Sequence, residues 1–107
     1  MESTVFEADV PAGDEYVFIR KSTTTGRYQQ IVVETPDGFD VCDLSIAGRS
    51  QFVEKTVIPA AAFAPGAVQT RLSLDDVQPG TPIEFRVCNV SGERRPFKAR
   101  LCDFQAP

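Results

Sequence analysis

Residues 82–104 read PIEFRVCNVSGERRPFKARLCDF, and this stretch decides the fold. Ile83, Phe85 and Val87 alternate with Glu84, Arg86 and Cys88. After the polar run Ser91-Gly92-Glu93-Arg94-Arg95, Phe97, Ala99 and Leu101 alternate with Lys98, Arg100 and Cys102. A side-chain period of two belongs to β-strands with one buried and one wet face. Two such runs with a short polar connection predict an antiparallel hairpin, Pro82–Val90 against Pro96–Phe104, in which Val87 faces Ala99.

That register bears on the thiols. Cys88 would face Lys98 and Cys102 would face Glu84, placing the two sulfurs about 13 Å apart along the strands. A disulfide needs Cα atoms within about 7 Å, so free thiols are expected. The cysteine count of three is odd as well. Cys42 falls in phase with Leu44 and Ile46, which reads as a small core residue. With no CxxC spacing and no histidine, neither a zinc site nor a cofactor is expected.

Working outward, alternation predicts further strands over 4–10, 16–21, 28–35, 39–46, 51–58 and 67–74. In the second of these, Tyr16 and Phe18 share one face and Val17 and Ile19 the other. Such a strand is either covered on both sides or presents Tyr16 and Phe18 to a partner. Pro36-Asp37-Gly38 and Ala47-Gly48 are turn signals. Pro59–Gly66, broken by prolines at both ends, reads as a crossover between two sheets. About eight strands spaced roughly 8–12 residues apart, without a helix, define an all-β fold. The expected architecture is a single-domain antiparallel β-sandwich over residues 1–107, with jelly-roll or Ig-like topology.

Composition narrows the function. A net charge of -4 and a pI near 4.7 oppose nucleic acid as the main partner, since phosphate neutralisation drives that binding. No apolar run approaches the ~18 residues of a membrane helix. Met1-Glu2-Ser3-Thr4 lacks the basic start and apolar core of a signal peptide, so synthesis in the cytoplasm without secretion is expected, and the sequon at Asn89-Val90-Ser91 is expected to be idle. Both chain ends are expected to be held, in edge strands or against neighbours. The absence of histidine removes the usual general base and nucleophile activator. Asp40 and Asp43 are expected on opposite faces of their strand, and Asp75-Asp76 in a corner, bonding local backbone. An enzyme is not expected.

The densest charge feature is Arg86, Arg94, Arg95, Lys98 and Arg100, placed by the hairpin reading on its wet face and tip. Residues 1–53 hold nine acids and four bases, and residues 54–107 six acids and seven bases, a net of -5 against +1. A dipolar subunit of this kind suits head-to-tail or lattice packing, although a solvated face that discourages edge aggregation is the simpler account.

Leu74–Val87, reading LDDVQPGTPIEFRV, resembles the corner and following strand of fibronectin type III domains. Ile83 stands where that family has an aromatic, and the chain has no tryptophan. As an architecture, the whole chain resembles small jelly-roll or sandwich proteins of bacteriophage particles, such as capsid decoration and minor capsid proteins. That resemblance implies a non-enzymatic virion protein acting through protein neighbours in a homo-oligomer or lattice, with Tyr16, Phe18, Arg86, Arg94, Arg95, Lys98 and Arg100 as contacts. The alternative is an Ig-like or fibronectin-like binding module for a protein or glycan, with Tyr28 and Phe39 able to stack a sugar.

Overall fold

The computed structural model describes residues 3–23, 25–28, 30–52, 57–64 and 74–102. The strands are β1 Ser3–Val10, β2 Glu15–Lys21, β3 Gln30–Val33, β4 Phe39–Ile46, β5 Arg49–Ser50, β6 Ile58–Pro59, β7 Pro82–Asn89 and β8 Arg95–Cys102. They form two antiparallel sheets, one ordered β1-β8-β3, the other β2-β7-β4-β5 with β6 also on β4. The expected β-sandwich is therefore present. Among the described residues no helix is long and apolar enough to cross a membrane.

The decisive stretch is not a hairpin. Its alternation is as read, but β7 and β8 belong to different sheets. Val87 opposes Tyr16 and Val41, while Ala99 opposes Phe6 and Val33. Alternation fixes which face is buried, and it is equally satisfied when the partner run lies across the core instead of alongside. Here Phe85 and Phe97 both point inward, with ring centroids 6.1 Å apart across the sandwich. Around them lie Phe6 (5.0 Å from Phe85), Phe18 (5.7 Å from Phe97) and Phe39 (4.9 Å from Phe97). Burying these large rings against one another is the main apolar stabilisation of the two-sheet stack.

The pairing is nested: β1 pairs with β8, and β2 with β7. An immunoglobulin-type sandwich keeps its first two strands in one sheet and its last two in another shared sheet. Here β1 and β2 lie in opposite sheets, as do β7 and β8, which is the winding of a jelly roll. The connections between β1 and β2 and between β7 and β8 are arches over one end of the sandwich.

Asn89 ties these arches together. Its side-chain amide donates to the carbonyls of Val10 and Glu93, both at 2.9 Å. Its carbonyl oxygen accepts from the Ser91 amide at 2.9 Å and the Ser91 hydroxyl at 2.6 Å. Its own backbone amide donates to Asp14 in the other arch. Every polar side-chain group of a fully buried asparagine is thus used, and both side-chain amide hydrogens are committed to the fold, leaving none free toward a glycan.

Between β4 and β5 the chain makes a two-residue turn, with Ala47 at φ 52° and Gly48 at φ 82°. Both values are left-handed, as the twist of a tight hairpin requires. Of the expected strand over 51–58, the described residues show Ile58 in the short β6 that pairs with β4, and residues 53–56 lie outside the described set. The expected strand over 67–74 also lies outside it apart from Leu74, which is buried. Residues 1–2 and 103–107, on which the expectation of held ends falls, are likewise outside. In the expected crossover, the described residues after β6 make a 3-10 turn, Ala60–Phe63, that buries Ala60 and Phe63.

Two outcomes test this account in urea melts. Asn89→Ala leaves two carbonyls without their donor and should lower stability by about 3 kcal/mol, with its m-value unchanged. Ala47→Asn should raise it by about 0.5–1 kcal/mol, because asparagine tolerates the left-handed turn conformation better.

Candidate functional site

The residues proposed for protein contact are dispersed by the fold. Tyr16, Phe18 and Arg20 share the core side of β2, opposite Val87, Phe85 and Ile83. Phe18 is only 1% exposed and packs among the core rings, so it is not an outward contact. The sequence shows that both faces of β2 are apolar but not which one faces the other sheet. Tyr16, at the open margin between the sheets, is 38% exposed, and its ring lies 4.6 Å from that of Phe18. The outward apolar residues are Val17, half-buried and opposite Arg86, and Ile19, 67% exposed and opposite Glu84. Nothing in the alternation separates them from Phe18; only the pairing of β2 with β7 does.

The basic group also divides. Arg86 sits on the outer face of the β7 sheet, with Nε 3.4 Å from Glu15 Oε1 and a terminal nitrogen 3.4 Å from Glu84 Oε1. Lys98 and Arg100 lie on the outer face of the other sheet, where both meet Glu34, at 3.6 and 3.9 Å. Arg95 pairs with Glu93 at 2.9 Å, and Arg94 is exposed at the arch tip. These cations form no common rim because β7 and β8 are on opposite sides of the sandwich. Glu15 with Arg86, and Glu34 with Lys98 and Arg100, join the acidic first half to the basic second half, while Arg27 and Arg49 pair in the opposite sense with Asp76 and Asp75. Exposed pairs of this kind contribute only about 0–1 kcal/mol each.

Tyr28 and Phe39 are buried. The Tyr28 hydroxyl lies 2.7 Å from Thr4 Oγ1 and 3.3 Å from Ser22 Oγ, and neither ring is available to stack a sugar. The acidic corner is engaged as well: Asp75 accepts from Gln51 at 3.0 Å and pairs with Arg49, while Asp76 pairs with Arg27 at 3.1 Å. A cleft of about 260 Å³ runs between the β3–β4 turn and β8, lined by Glu34, Thr35, Pro36, Asp37, Arg95 and Pro96. Its mixed charges are largely those already paired above.

The feature that sequence reasoning missed is on the outer face of the β2-β7-β4 sheet. Val41 opposes Val87, but Asp43 opposes Arg86, so Cys42 is the extra residue of a β-bulge. The bulge shifts the phase of β4. Phe39, Val41, Leu44 and Ile46 all point inward, while Asp40, Cys42 and Asp43 point outward. Cys42 is thus not a core residue, and Asp40 and Asp43 share a face. The three cysteines are free; Cys88 and Cys102 are separated by topology rather than by a register offset.

Cys42 lies diagonally from Cys88, whose thiol donates to Glu15 Oε2 at 3.8 Å. One sulfur from each cysteine and a Glu15 oxygen all lie within 4.8 Å of one another. Burial, the hydrogen bond and charge of Cys88, and the carboxylates of Glu15 and Asp40 push the Cys42 thiol from an ordinary 9.0 up to about 12. The group is capable of holding a cation.

Comparison of the chain with protein families, with curated proteins and with solved structures finds no match.

The raised thiol predicts a pH dependence. Between pH 9.0 and about 12 the unfolded chain has released the Cys42 proton while the fold retains it. The unfolded state then binds fewer protons, so stability falls as pH rises across that interval, and the contribution is complete below it. Denaturant melts of the wild type and Cys42→Ala should diverge there: the wild type loses more stability with rising pH, and the difference is flat at neutral pH.

Proposed function

We propose that this chain is a non-catalytic structural protein of a virus particle, a phage capsid decoration or minor capsid protein that works through contacts with protein neighbours. The observation that carries the reading is the margin formed by β1 and β2. They are consecutive, each ends its sheet, and each pairs with only one strand among the described residues. This margin leaves Tyr16 exposed between the sheets, with Val5 (44%) and Ile19 on the outer faces of the two edge strands that flank it. Unpaired strand edges with apolar side chains are surfaces that proteins ordinarily blunt unless something covers them.

The jelly-roll winding supports the particle setting, since such sandwiches recur in capsids. The winding alone does not define the activity; the margin gives the reading its content. The basic residues named from the sequence are secondary here, because Arg86, Arg95, Lys98 and Arg100 already have carboxylate partners.

Fractionation of the native source on a density gradient should place the chain with intact particles. Its presence only in low-mass fractions overturns the proposal. Val5→Lys with Ile19→Lys should leave the urea midpoint within about 0.5 kcal/mol of wild type, as surface substitutions do, while removing the chain from the particle fraction.

A further inference from the structure

We infer that Cys42, Cys88 and Glu15 form a binding site for a thiophilic divalent cation of the zinc class on the outer face of the β2-β7-β4 sheet. The inference is independent of the proposed particle role. It rests on three elements converging on one point: β4 supplies Cys42 at its bulge, β7 supplies Cys88, and β2 supplies Glu15 opposite Cys88.

The spacing suits the ion. Tetrahedral zinc with Zn–S near ~2.3 Å and Zn–O near ~2.0–2.2 Å requires neighbouring donor atoms roughly 3.5–3.8 Å apart. The Cys88 sulfur and Glu15 Oε2 are 3.8 Å apart, and the whole donor set lies within 4.8 Å. Only small rotamer adjustments are needed to close the set around an ion.

The surroundings favour the same occupant. Glu15 is oriented from behind: Oε1 faces the Arg86 guanidinium at 3.4 Å, which leaves Oε2 for the thiols. An outer partner that fixes a ligand in this way is a regular part of metal sites. The charged groups around the thiols are Glu15 on β2, Arg86 on β7 two residues from Cys88, and on β4 Asp40, the register partner of Cys88, and Asp43, which follows Cys42 and opposes Arg86. With two thiolates the cluster is strongly anionic, and a dication reverses that repulsion. Two sulfur donors and one carboxylate select a soft or borderline ion over calcium or magnesium. On binding, both thiol protons pass to solvent and two metal–sulfur bonds form, with no change of oxidation state. Asp40 or water completes the fourth position.

The bulge is what makes the arrangement possible. In an unbulged β4 whose phase is set by Leu44 and Ile46, Cys42 would point inward. One extra residue rotates it outward beside Cys88 while the inward apolar residues keep their places.

The test uses the full chain with its thiols held reduced and titrated with cobalt(II) as the zinc probe. A thiolate-to-cobalt charge-transfer band should saturate at one ion per chain and be displaced by zinc. Cys42→Ser and Cys88→Ser should each abolish it, Cys102→Ser should leave it intact, and Glu15→Gln should weaken cobalt affinity about tenfold or more. Circular dichroism of each variant checks that it folds, and the conservative Glu15→Gln change keeps the test decisive if a serine variant does not. The absence of a band on fully reduced wild type, a band that survives loss of either Cys42 or Cys88, or unchanged affinity in Glu15→Gln overturns the inference. Particle association is read without added metal, so the two proposals fail separately.

Discussion

The winding of this sandwich depends on a buried amide. Asn89 sits where β7 leaves one sheet for the other, and its side chain reaches the last carbonyl of β1 while its backbone amide reaches the arch into β2. Apolar burial supplies most of the cohesion, but it is not directional. The core rings alone do not specify whether β7 turns back beside β8 or arches over the core to the facing sheet. A buried polar group that must find four partners does specify it, because other arrangements leave it unsatisfied in a low-dielectric interior. Gly38 reinforces that end of the molecule. It lies under Ser91 and Arg95 at φ 82°, where an added Cβ would come within 3.0 Å of Ser91 Cβ, and its carbonyl accepts from the Val90 amide.

Once the winding is set, electrostatics follows from chain order. Nested pairing sets residues near the start against residues near the end. The acidic first half is thereby laid along the basic second half, giving Glu15 with Arg86, Glu34 with Lys98 and Arg100, and Arg27 with Asp76 in the opposite sense. Part of the charge asymmetry visible in the sequence is thus used in pairs inside the subunit. Its value in isolated pairs is small, but like charges directly opposite would be unfavourable, so the pattern discriminates against slipped pairings.

Face assignment was legible in the sequence; partnership was not. Period-two alternation in 82–89 and 95–102 fixes Ile83, Phe85, Val87, Phe97, Ala99 and Leu101 as inward, and all six are buried. The same alternation is silent on whether its neighbour is the next strand or a distant one, because a short polar connection serves a hairpin and an arch alike. The division of the basic group and the burial of Phe18 both follow from that one ambiguity. The bulge was illegible for another reason. Reading back from Leu44 and Ile46 places Cys42 inward, whereas reading forward from Phe39 and Val41 places it outward. Both phases are correct, and the conflict between them is the only mark a bulge leaves in a sequence. Resolving it as an insertion would have put Cys42 and Asp43 on the surface with Asp40.

The two surfaces assigned a role meet on β2. This strand hydrogen-bonds to β7 alone among the described strands, so its position rests on that ladder, on Phe18 in the core and on what holds its first residues. Asp14 is fixed through the Asn89 amide, and Glu15 through Arg86 and Cys88. An ion between Glu15, Cys42 and Cys88 would therefore connect β2 to β4 across β7, a link the hydrogen-bond ladder cannot make because those two strands are not neighbours. The beginning of β2 would be cross-braced to the middle of its sheet. Tyr16, the next residue along, lies at the exposed margin between the two edge strands. Metal occupancy would thus bear on the order of that margin through one strand, because an edge that is already held loses less conformational freedom when it makes a contact.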